Sequence, residues 1–76
     1  MGIIADGWDS YRSEVVPPDA LPVQVQETRR AFYAGARHLL SGILLMADAR
    51  QDEEQFMEAI EGELQDFALA VTTGRA

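Results

Sequence analysis

The apolar positions of this chain recur at helical spacing and nowhere alternate as they would in a strand. Phe32, Ala36, Leu39, Ile43 and Met46 are separated by alternating steps of four and three. That heptad-like stripe suits a helix packed nearly antiparallel on a neighbour. Tyr33, Leu40, Leu44 and Ala47 form a second stripe beside the first. One partner helix cannot cover both, so the pattern predicts self-association. Further along, Met57, Ile60, Leu64, Phe67 or Ala68, and Val71 repeat the heptad. Phe56 widens that stripe, and Glu54, Glu58, Glu61 and Asp66 form the polar face opposite. Near the start, Trp8, Tyr11 and Val15 mark a short amphipathic helix from about Ile4 to Val15.

Turn-forming residues divide these runs. Pro17 and Pro18 cannot continue the first helix. The second opens between Asp19 and Pro22, with Asp19 as its expected N-cap and Pro22 in the first turn. It runs to about Ala49. Asp52, Glu53 and Glu54 suit the positive end of a third helix reaching about Val71, with Gly74 as terminator. The expected fold is all-α: one domain over 1–76, a short N-terminal helix plus a long antiparallel helical hairpin, assembling as a homo-oligomer.

Composition sharpens that expectation. With 76 residues, no cysteine and one histidine, the chain has no disulfide staple, thiolate metal site or histidine-rich metal site. Oligomerisation is the remaining common source of stability. The formal charge of −7 argues against polymeric nucleic acid and anionic membranes as partners. The longest apolar run falls well short of the ~20 residues that span a bilayer. No signal peptide is visible at the start. A cytoplasmic protein is expected.

Against the acidic background, Arg29, Arg30 and Arg37 crowd into one segment with Tyr33, preceded by Gln26 and Thr28. Trp8, Tyr11 and Arg12 lie on the short helix, which the proline corner folds back towards them. Arginine forks, a ring and a hydroxyl suit a small, flat anion. The same arginines also suit surface bridges to Glu14 and Glu27, worth ~0–1 kcal/mol each. Trp8 and Tyr11 suit packing of the short helix equally well. Ala34, Gly35 and Ala36, with Gly42 further on, leave a bare strip for a close helix crossing or a ligand. No catalytic constellation emerges. His38 and Ser41 lack a third member, and the acids lie on exposed helix faces. The chain is read as a non-enzyme needing no cofactor.

Trp8, Tyr11, the Pro-Pro-Asp-Ala-Leu-Pro corner, the Gln-x-x-Glu-Thr start and Arg-Ala-Phe-Tyr-Ala-Gly-Ala carry a resemblance. Over 8–45 the sequence resembles the small phage proteins that sequester cyclic oligonucleotide signals. These are the anti-CBASS sponges, which share a helical hairpin with Thoeris anti-defence sponges. The third helix matches only as an amphipathic helix. The resemblance implies binding without turnover in the host cytoplasm by a homohexamer of hairpins. It places cyclic dinucleotides between paired protomers and cyclic trinucleotides on three-fold axes. Tyr11 would then stack on a base and Thr28 hydrogen-bond the nucleotide. Gln26 stands where members can offer a lysine to phosphate, a departure that Arg12, Arg29 or Arg30 would offset. Arg30 and Arg37 are candidates for the trinucleotide pocket. The competing functions are an acidic inhibitor of a host nucleic-acid-handling defence complex and a structural hairpin without ligand.

Overall fold

The computed structural model describes residues 2–50 and 52–76. They form three helices and, among the described residues, no strand: α1 (Ile3–Glu14), α2 (Pro22–Ala49) and α3 (Glu53–Thr72). The chain sorts into two compact units, Met1–Ser41 and Gly42–Ala76, with α2 contributing to each.

In the first unit, α1 begins after Gly2, whose carbonyl accepts from the Asp6 N–H at 2.8 Å. Asp6 in its first turn and Arg12 in its last complement the helix dipole. The corner that follows is closed by Ala20 N–H donating to the Pro17 carbonyl at 3.1 Å. The start of α2 corrects the expected N-cap. Leu21, not Asp19, precedes the first helical residue, and its carbonyl accepts from Val25 N–H. The Leu21 N–H donates to Gln24 Oε1 at 3.0 Å. This is half of a capping box, with a glutamine in the first turn reaching back where the cap residue has no polar side chain. Pro22 occupies the first helical position, where a missing N–H costs little.

Trp8 is the one buried residue among those described, at 4% exposure. Its ring lies 5.8 Å from Phe32 and 6.2 Å from Tyr11, and Tyr11 lies 5.8 Å from Phe32. These separations fall within the range of favourable ring pairs. The two helices approach closely because position 7 is glycine: a Cβ there would sit 3.3 Å from Phe32 Cζ.

In the second unit, Asp52 caps α3 by accepting from Gln55 N–H at 3.2 Å. The far end of α3 closes with Arg75 N–H donating to the Ala70 carbonyl and Gly74 N–H to that of Val71. Gly74 has φ 75°. That pair of bonds around a left-handed glycine is the Schellman arrangement, so Gly74 terminates the helix as expected. Phe56 meets the open side of Gly42, 3.6 Å from where a Cβ would lie. The unit has no buried residue among those described. Phe56 and Ile60 are half-buried, yet Leu64 is 65% and Phe67 63% exposed. The stripe expected to form the inner face of α3 is therefore largely uncovered. On α2, Ile43 at 36% lies at the edge of exposure, while Leu40 and Leu44 of the second stripe reach 53% and 60%. No described helix is long and apolar enough to cross a membrane.

Candidate functional site

The aromatic cluster of the first unit divides its surface. Val25 and Phe32 face α1 in the middle of the α2 contact. Gln26, Arg30 and Tyr33 follow one another at steps of four and three, on one flank of the helix. Gln24, Glu27 and Thr28 fall on the other flank. On α1, Asp9 and Arg12 stand to one side of Trp8, and Tyr11 and Val15 to the other. Two open grooves result.

The first groove, about 680 Å³, is lined by Trp8, Asp9 and Arg12 from α1 and by Gln26, Arg29, Arg30 and Tyr33 from α2, with Pro22 and Val25. Its side chains carry three guanidinium groups against one carboxylate. Arg29 lies over the Tyr33 ring, 5.5 Å from the centroid. A guanidinium over a ring is attracted by its quadrupole, and its planar fork suits both stacking and phosphate. Tyr33 also meets Phe32 edge-on, at 6.2 Å between centroids. Arg30 Nη1 donates to Glu27 Oε1 at 3.2 Å, with both side chains well exposed. Of the surface bridges considered from sequence, this one forms. Among the described residues, no carboxylate lies within ion-pair distance of Arg12, Arg29 or Arg37.

The second groove, about 600 Å³, is lined by Tyr11, Val15, Val16, Pro17, Asp19, Ala20, Gln24, Glu27 and Thr28. Its charged groups are both carboxylates. The Thr28 hydroxyl donates to the Gln24 carbonyl at 2.7 Å. Its proton is thereby engaged by its own helix, and its lone pairs remain available to accept.

The eight residues singled out from sequence thus part company. Trp8, Arg12, Gln26, Arg29 and Arg30 share the cationic groove, while Tyr11 and Thr28 share the acidic one. Trp8 enters as buried floor. Arg37 lines neither groove and is exposed one turn beyond Tyr33. Gly35 has no atom of a neighbouring element within 4 Å of where a Cβ would lie, so the close approach expected there is not made by this chain. Sequence reasoning passes over Asp9, and groups Tyr33 with the arginines as a ring without counting it among the eight. The spacing of Tyr33 from Arg29 and Arg30 was the available signal for it. Asp9 had none, since its place depends on how the corner turns.

Among the described residues, no three His, Asp or Glu side chains are grouped as metal ligands. No family model, no curated protein and no solved structure matches the chain.

Proposed function

We propose that this chain sequesters cyclic di- and trinucleotide immune signals without hydrolysing them, as a phage anti-defence protein of the sponge type. The observation that carries the reading is the cationic groove: three arginines, one of them over the Tyr33 ring, and an amide, in a chain of net charge −7. Its volume lies within the ~300–1,000 Å³ usual for small-molecule sites. Arginine forks bind phosphate oxygens, and a planar guanidinium also suits stacking with a flat base.

The division between the grooves supports a ligand shared between copies. Tyr11 and Thr28 stand on the opposite flank of α2 from Gln26 and the arginines, so one protomer does not offer all of them to one small molecule. Two copies meeting across the ligand combine a cationic groove with the aromatic and hydroxyl groups of its neighbour. A homohexamer of antiparallel hairpins, as the resemblance implies, would cover the apolar side chains left exposed on α3 and bring those grooves together.

The test is retention. The protein is incubated with cyclic di- and trinucleotides, freed of unbound ligand, denatured, and the supernatant assayed. Recovery of intact nucleotide is expected; no retention of any of them overturns the reading. A second reading draws on the open depression lined by Asp52, Glu53, Glu54, Met57, Glu58 and Glu61, an acid-rich surface suited to a basic host protein. A salt-sensitive complex that survives Tyr11→Ala and Thr28→Ala would favour it.

A further inference from the structure

Asp9 is the anomaly of the cationic groove. It lines the same wall as Arg12 and faces the cavity that Arg29 and Arg30 also line, yet among the described residues it forms no ion pair. In a phosphate cradle, a free carboxylate is counterproductive, because it repels the anion that the guanidinium groups attract. In a cradle for a nucleobase, it has a use. An ionised carboxylate is acceptor-only and offers two oxygens side by side.

On the Watson–Crick edge of guanine, N1–H and the N2 amino group present two adjacent donors that match such a pair. Adenine presents a bare N1 lone pair beside its N6 amino group, which sets one carboxylate oxygen against another acceptor. A stacking surface for the base lines the same groove: Arg29, whose guanidinium lies 5.5 Å from the Tyr33 ring centroid. Trp8, buried beneath, closes the floor. Arg12 and Arg30 remain for phosphate.

We infer that Asp9 is a specificity-determining residue that reads a guanine edge, so that the groove prefers guanine-bearing cyclic nucleotides over adenine-bearing ones. This rests on the sequestration reading and deepens it by naming the base class. Asp9 is exposed on α1 and outside the aromatic cluster, so replacing it leaves the packing of the unit in place.

The experiment is isothermal titration of the full chain, wild type and Asp9→Asn, with cyclic di-GMP and with cyclic di-AMP. The wild type is expected to bind the diguanylate about tenfold more tightly, the scale of one two-bond base contact. Asparagine carries one acceptor and one donor, the complement of the adenine edge. Asp9→Asn is therefore expected to weaken diguanylate binding about tenfold and to leave or raise diadenylate binding. Equal wild-type affinities overturn the inference and leave sequestration standing. So does an Asp9→Asn variant that strengthens both ligands alike, which would mark Asp9 as a bystander charge. Failure of the wild type to bind either ligand overturns the inference, and the sequestration reading falls with it only if cyclic trinucleotides also go unretained.

Discussion

The two units of the chain solve the problem of small size differently. The Met1–Ser41 unit closes on itself: Trp8 is buried, the rings of Tyr11 and Phe32 pack on it, and charged groups line grooves on either side. The Gly42–Ala76 unit buries no described residue and leaves Leu44, Leu45, Leu64, Phe67 and Leu69 more than half exposed. A unit with its own aromatic core tolerates polar, functional flanks. A unit without one has apolar surface to spare, and water is a poor neighbour for it. The contrast teaches that one short chain keeps its polar grooves and its uncovered apolar surface in different units.

The largest effect expected is on the self-contained unit. Trp8→Ala removes the buried ring on which Tyr11 and Phe32 both pack and should cost about 3–5 kcal/mol, enough to melt a domain of this size. Urea denaturation followed by circular dichroism reads it; a loss under 1 kcal/mol would deny the unit its core. The matching blow to the other unit is Phe67→Asp, which sets a charge in the exposed stripe of α3. If that stripe is where copies meet, about 2 kcal/mol or more of association is lost. Sedimentation velocity should then show the mass falling towards one protomer, whereas an unchanged mass removes the stripe from the interface.

A smaller effect sharpens the division of labour. Arg12→Ala and Arg29→Ala should each weaken cyclic-nucleotide retention by about 1.5–3 kcal/mol, the scale of a hydrogen bond to a charged group. Sedimentation should stay unchanged. Retention equal to wild type in both variants would take the cationic groove out of binding. The smallest effect concerns Gly62, where a Cβ would meet nothing within 4 Å. In an isolated protomer Gly62→Ala gains about 1 kcal/mol of helix propensity. Where another copy packs closely on that position, the same methyl raises the melting temperature less, or lowers it. Comparing melts at low and high protein concentration distinguishes the two.

How much of this was legible in the residues can be followed element by element. Periodicity and proline placement located all three helices within about a residue of their ends, because those signals are local. Gly74 announced the end of α3 for the same reason. The cap of α2 was misread because Asp19 is the usual cap type, while Gln24 acts from inside the helix and across the proline. The α3 stripe is legible as one apolar face, but periodicity records which residues share a face and says nothing of what covers it. The splitting of the candidate site lay within reach: Gln26, Arg30, Tyr33 and Arg37 share one flank of α2 by spacing alone, and Thr28 does not. Which flank meets Asp9 and which meets Tyr11 depends on the path of residues 15–21, a tertiary matter.

The Trp8–Phe32–Tyr11 stack has a practical corollary for anyone mapping ligand contacts by alanine scanning. It is a party wall, with a tenant on each side. Tyr11→Ala takes a brick from it, so any ligand on the cationic side will loosen even if it never touches the phenol. Tyr11→Phe keeps the masonry and removes only the hydroxyl, and Tyr11→Leu keeps bulk without the ring face. Together those two replacements tell a tenant from a brick.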